Sequence, residues 1–306
     1  MTLDQLNTMF LAIIAGTSKV KKLSLCLVLS LPEVKANLLA SAMSRLEEVG
    51  LSNTSLTNKQ IKTLLTAINK EDSKLKKLDI SHSDLDSAKP SLLAQALTKL
   101  EELTLEYVFF GKKQINAIYN AIASGHSNLK KMKITYGFGD VEANLLVKVA
   151  NNLEEFSIYS DIGEEKTGAL IVAISEGKTK LKKLEIIDNM EMQHLDCLHP
   201  DLLAKAVGRL EEVNLASAGG WHHHQIEAIL TQSLGGHTSL RKIKLNDLVN
   251  EVVWDENSMT EALKFYRDEQ AEIDKMAENS VEEDTAIEGV EYVYEDAEED
   301  VEVEEE

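Results

Sequence analysis

The chain has 306 residues, and its 52 acidic and 32 basic side chains leave a formal net charge of −20. Residues 282–306 hold 14 acidic residues and no basic one, so the body before them is near balance, at 38 acidic against 32 basic. This balance argues against nucleic acid or an anionic membrane as the main partner, since both reward basic surfaces.

Cys26 and Cys197 lie too far apart in sequence to form a metal spacing or a disulfide framework, which suits a reducing compartment. The opening "MFLAIIAG" is too short to span a bilayer, and Asp4 and Gln5 stand where a signal peptide would carry basic residues. The sequence therefore reads as a soluble intracellular protein, cytoplasmic or nuclear.

The first element is a helix followed by a short strand, in "TLDQLNTMFLAIIAGTSKVKKLSL". The pattern then recurs. A six-residue motif, L-x-x-L-x-[LI] with other apolar residues replacing the fourth leucine in five copies and the first in one, begins at Val20, Leu46, Leu75, Leu100, Leu129, Leu153, Leu181, Leu210 and Leu240. Successive spacings are 26, 29, 25, 29, 24, 28, 29 and 30 residues. A period of this size predicts a solenoid whose units bury their apolar faces against their neighbours. The fourth and sixth motif positions are apolar around a polar fifth, the alternation of a half-buried strand. Between motifs come helical spacings, as in Ile61, Leu64, Leu65 and Ile68, with Thr57 and Gln60 placed as a capping box. Strand, helix and strand at 24–30 residues per step predict parallel strands joined by right-handed crossovers. The expected fold is α/β, a right-handed horseshoe with strands concave and helices convex.

These motifs resemble the leucine-rich repeat family, in the longer strand-plus-helix form of ribonuclease-inhibitor-like proteins, over residues 2–250. That family places Asn or Cys three residues after the sixth motif position. Here those positions hold Thr54, Ser83, Val108, Gly137, Asp161, Asn189, Ala218 and Leu248, so looser turns are expected. The predicted domains are repeats over 1–250, a capping helix over 251–281 and a disordered acidic tail over 282–306. Within the cap, Ser258 and Glu261 form a capping box, and Met259, Leu263, Tyr266, Ile273 and Met276 share a face. The chain begins within a repeat, so either the first helix caps itself or something upstream covers it.

Motif positions two and three alternate between basic and Glu-Glu pairs. The third position reads Lys22, Glu48, Lys77, Glu102, Lys131, Glu155, Lys183, Glu212 and Lys242. In adjacent parallel strands each charge then faces its opposite, whereas lysine alone would set like charges side by side. Exposed pairs contribute little to stability, but a one-repeat slip would juxtapose like charges. The row reads as a structural ladder and not as a phosphate-binding stripe.

Of the 15 aromatic residues, eight lie between residues 107 and 159. Tyr107, Tyr136 and Tyr159 fall just past three successive strands, and with Phe109, Phe138 and Trp221 they form a candidate partner-binding rim. Gap filling beside the shorter repeats is the competing role. His222, His223 and His224 point in different directions at a helix start, without the spacing of metal ligands, so no metal or cofactor is expected. No P-loop or nucleophile elbow occurs.

The leading expectation is a non-catalytic scaffold that binds a protein partner through the concave face and rim, the acidic tail favouring a basic one. Two resemblances imply other readings. The Ran GTPase activators join similar repeats to an acidic tail, but none of Arg45, Arg209, Arg241 and Arg267 sits on a post-strand loop. The sensor repeats of nucleotide-binding oligomerisation-domain-like receptors are also similar, although no nucleotide-binding motif is present.

Overall fold

The computed structural model describes residues 1–139, 141–160, 162–187, 198–216, 221–235, 238–246, 251–255 and 258–284. Nine strands follow one another in chain order and pair in parallel: β1 (Lys22–Ser24), β2 (Glu48–Gly50), β3 (Lys77–Asp79), β4 (Glu102–Leu105), β5 (Lys131–Ile134), β6 (Glu155–Ile158), β7 (Lys183–Ile187), β8 (Glu212–Ala216) and β9 (Lys242–Asn246). Their apolar fourth and sixth motif residues point to one side. Val49, Leu78, Leu103, Phe156 and Leu184 are among those buried at the fourth position. Helices cover that side, so the sheet keeps one open, polar face.

The helices are α1 (Leu3–Ala15), α2 (Ala36–Met43), α3 (Asn58–Ile68), α4 (Pro90–Leu97), α5 (Lys112–Ala123), α6 (Ala143–Ala150), α7 (Glu164–Ser175), α8 (Pro200–Val207) and α9 (His223–Leu234). They alternate in length. Those leading into lysine strands have 11–13 residues, while α2, α4, α6 and α8, leading into glutamate strands, have eight each. The structural unit is therefore a double repeat, with helix length and strand charge varying together.

Thr2 and Thr57 each close a capping box, with Gln5 and Gln60 respectively. Gln60 does more than cap. Its buried amide donates 2.9 Å bonds to the carbonyls of Leu31 and Val34, in the loop of the preceding repeat. Gln114 reaches Asp86 and Ala88 in the same way, and Gln225 reaches Leu198. These loop carbonyls face away from solvent and need such donors.

The turn positions show what replaces the family's Asn or Cys. The Thr54 hydroxyl donates 2.6 Å to the Leu51 carbonyl, and Val108 fills its site with apolar volume. Asp161, Asn189, Ala218 and Leu248 lie outside the described residues.

The chain ends differently from the sequence expectation. The stretch read as the start of a capping helix first forms β10 (Glu251–Asp255), which pairs antiparallel with β9 and buries Trp254. The β-branched and aromatic run Val252, Val253 and Trp254 favours a strand over the expected helix. Helix α10 (Met259–Asp284) follows, with Met259, Ala262 and Leu263 buried within the repeat unit, which extends to Leu263. Residues 264–306 form a separate unit, in which Phe265 is exposed and meets Tyr266 edge to face. The side chains of Ile273 and Met276, and the tail from Thr285, lie outside the described residues.

Tyr119 provides a stability test. It is fully buried, packs 6.1 Å from the Phe138 ring, and its hydroxyl has no partner among the described residues. An unpaired buried hydroxyl costs about 1–3 kcal/mol. Tyr119→Phe is therefore expected to raise stability by roughly 1 kcal/mol in urea unfolding. A loss of similar size would mean that the hydroxyl has a partner.

Candidate interaction surface

Sheet register sets every third-position residue beside its neighbours in the ladder, from Lys22 opposite Glu48 to Glu212 opposite Lys242. Ion pairs join Lys22 to Glu48 at 2.9 Å, Lys77 to Glu102 at 2.7 Å, Lys131 to Glu155 at 2.9 Å and Lys183 to Glu212 at 2.8 Å. A second row runs beside it, with Lys21 to Glu47 and Glu154 to Lys182 both at 2.8 Å. These charges are turned toward one another.

A polar seam lies above the ladder, formed by fifth and seventh motif positions in zigzag. Ser52 and Ser81 both donate to Asp79. Further along, Lys133 pairs with Glu106 at 2.7 Å and lies 4.5 Å over the Tyr159 ring. Tyr159 is hydrogen-bonded to Glu185, which also accepts from Asn214. The fifth positions alone show no pattern in sequence. The pattern appears when they are read with the seventh, two residues on and on the same face of the strand.

Lys133 is partly desolvated, which works against its charge. Its hydrogen bonds to Glu106 and Tyr159 outweigh this and hold its pKa above the ordinary lysine value. Burial, followed by the Glu185 hydrogen bond, pushes the Tyr159 phenol up to about 12, against the pull of Lys133. Both folded values are raised, so their stabilisation is complete below about pH 10 and is lost as pH rises through the folded values. The urea midpoint is expected to fall between about pH 10 and 12, less steeply in Tyr159→Phe. Parallel profiles would contradict the coupling.

The rim above this seam is apolar and unusually shaped. Leu27, Asn53, His82 and Tyr107 occupy the same position, two residues past the sixth, and all adopt left-handed backbone with φ of 52–59°. Asn and His tolerate this region; for Leu and Tyr it costs about 1 kcal/mol or more. His82 and Tyr107 stack at 4.8 Å, and Tyr136 meets Tyr107 edge to face at 5.9 Å. Tyr107 and Tyr136 are 42% and 47% exposed, and Phe109 is 70% exposed. Leu27 and Leu29 are also exposed in the first repeat, with the polar Asn53 between Leu27 and His82 along the row.

Phe138 leaves the candidate rim set. It is buried against Tyr119 because Gly137, at φ 105°, turns the chain between it and exposed Tyr136. A side chain on Gly137 would meet Ile115 at 2.9 Å, so glycine is required there. Tyr159 stands half-buried in the polar seam and has no ring contact with Tyr107 or Tyr136 among the described residues. Trp221, just before α9, is half-buried and far along the chain from the cluster. His82, Leu27 and Leu29 were missed in sequence. The signal for His82 and Leu27 is the shared position two residues past the motif, hidden because its residue type varies; Leu29, four past, has none.

Among the described residues, no three His, Cys, Asp or Glu side chains gather as a metal cluster, and no helix is long and apolar enough to cross a membrane. His222 and His224 stack at 5.4 Å.

The register, the buried leucine positions and the strand–helix alternation are those of an α/β solenoid built of repeating strand-and-helix units. No protein-family model matches the chain, and no curated protein matches it. Among solved structures, it is similar to the leucine-rich repeat-containing protein LegL7 from Legionella pneumophila, at 15% identity and a TM-score of 0.44. That similarity covers 79% of this chain and 88% of LegL7.

Proposed function

We propose that this leucine-rich repeat protein is a non-catalytic scaffold of the ribonuclease-inhibitor-like kind, which grips a protein partner through the aromatic rim over its strand face. The observation that carries the reading is the exposed His82–Tyr107–Tyr136 cluster, in which His82 and Tyr107 are presented by left-handed backbone. Rigid, partly exposed tyrosines make good anchors, because little conformational entropy is lost when they are buried. The ladder and seam beneath have already satisfied their charges with one another, so they supply shape and orientation while the rim supplies affinity. The acidic residues 282–306 favour a basic partner through long-range attraction.

Affinity capture followed by residue-resolved cross-linking tests this reading. Cross-links from the captured partner are expected at Tyr107, Phe109 or Tyr136. Removing residues 282–306 is expected to weaken capture mainly at low salt, because screening removes the tail's contribution at high salt. Cross-links confined to α1–α9 would refute the surface.

A further inference from the structure

A basic groove lies at the opposite ends of the strands from the aromatic rim, where the helices run back into the sheet. The residue just before each motif is Lys19, Arg45, Lys74, Lys99, Lys180 or Arg209 in six repeats, and Asn128, Asn152 or Ser239 in the other three. This column holds no acidic residue. Two residues later, at the second motif position, the sign alternates from repeat to repeat. Like charges on neighbouring repeats repel, so a column kept basic through four successive repeats calls for a counter-charge.

Helix C-termini supply part of it, through their partial negative charge. The Lys99 ammonium donates to the Asn69 carbonyl at the end of α3, and the Arg209 guanidinium donates 2.9 Å to the Ser175 carbonyl at the end of α7. Lys74 and Lys180 have no such use. Both lie beyond the last turns of α3 and α7 and are exposed, and their side chains have no hydrogen-bond or ion-pair partner among the described residues.

Lys74, Lys99 and Lys180 line one groove of about 880 Å³, together with the ladder lysines Lys76 and Lys130. Three glutamates also line it, Glu47, Glu101 and Glu154, and these are already paired with Lys21, Lys76 and Lys182. The groove is therefore a positive concavity in a body that is near balance overall.

We propose that this groove binds an extended acidic segment of a partner protein, laid across the repeats. Alternate side chains of an extended peptide stand about 6–7 Å apart on one face. Its carboxylates can thus address Lys74, Lys99 and Lys180, while uncharged residues pass Glu47, Glu101 and Glu154. A nucleic acid suits the groove less well. Its evenly spaced phosphates would meet those glutamates, and no aromatic ring among the lining residues offers a base a stacking platform. The aromatic rim plays no part in this contact, so either surface can fail its test without the other.

The probe is a fluorescent peptide of about twelve residues alternating glutamate and serine, titrated into the full chain near physiological salt and followed by anisotropy. Saturable binding is expected, with none by the matching glutamine–serine peptide. Lys74→Glu combined with Lys180→Glu is expected to weaken binding about tenfold or more. Lys74→Gln combined with Lys180→Gln, which removes the charges without reversing them, is expected to weaken it by less. Lys59→Glu combined with Lys113→Glu makes the same change in net charge at the starts of α3 and α5, and is expected to stay within about twofold of the parent. Equal weakening by the two glutamate variants would overturn the proposal, because net charge alone would then explain binding. Equal binding of the glutamine peptide, or tighter binding of a single-stranded oligonucleotide of equal charge, would overturn it too.

Discussion

Tyr107→Asn combined with Tyr136→Ala is expected to weaken the partner complex about a thousandfold, while the stability of the repeats changes by less than about 1 kcal/mol. Central aromatic anchors cost about 2 kcal/mol or more each when truncated, and each 1.4 kcal/mol is a factor of ten. Two opposing terms set the stability change at Tyr107. Asn relieves a left-handed backbone strain of about 1 kcal/mol. Loss of the stack on His82 and the edge contact with Tyr136 costs a similar amount. The two nearly cancel. A residue kept for packing would not behave in this way: its removal would lower stability and leave affinity intact. Calorimetric titration with the partner and urea unfolding of the same variant separate the two roles.

Gln60→Ala is expected to destabilise the repeats by about 3 kcal/mol, whereas Gln5→Ala, at the equivalent helix position, costs less than about 0.5 kcal/mol. Gln60 is buried, and its amide serves two loop carbonyls: that of Leu31, which also accepts from the Val34 amide, and that of Val34, which would be left unpaired. An unsatisfied buried acceptor costs its desolvation, about 1–3 kcal/mol each, and water enters such a loop only by loosening it. Gln5 keeps its capping bonds with Thr2, but its amide faces solvent. Alanine there removes a cap contact at an exposed helix end. Nearest-neighbour coupling in a solenoid should place the Gln60 damage between the first and third repeats. Hydrogen exchange is the suitable readout, since one melting temperature averages over units that open separately. Equal losses at the two glutamines would show that the interior bonds to Leu31 and Val34 are immaterial.

Much of the fold was legible because solenoid contacts are local in sequence. Leucine spacing fixes which side each strand buries, and charge alternation fixes which residues stand opposite in the sheet. Lys77 and Glu102, 25 residues apart, meet at 2.7 Å for that reason. The same spacings also held the double repeat, because the short steps that precede Glu48, Glu102 and Glu155 correspond to eight-residue helices.

What was not legible depends on backbone conformation. Nothing in "YGFG" tells Tyr136 from Phe138 by residue type; the left-handed turn at Gly137 sends one outward and the other into the core. Leu27 and His82 share a rim position with Tyr107 through a common φ, which residue type does not reveal. The Glu106–Lys133–Tyr159–Glu185 seam crosses strands diagonally and escapes a column-by-column reading. Strand β10 was hidden because its partner β9 runs antiparallel to it, a reversal that the preceding repeats give no reason to expect.

Hydrogen exchange of the full chain with and without its bound partner tests the central claim most directly. The account predicts slowed exchange in residues 105–109 and 134–137, the two backbone turns that present Tyr107 and Tyr136, with the helices α2–α9 unchanged. Protection confined to those helices, with both turns exchanging as fast as in the free protein, would contradict it.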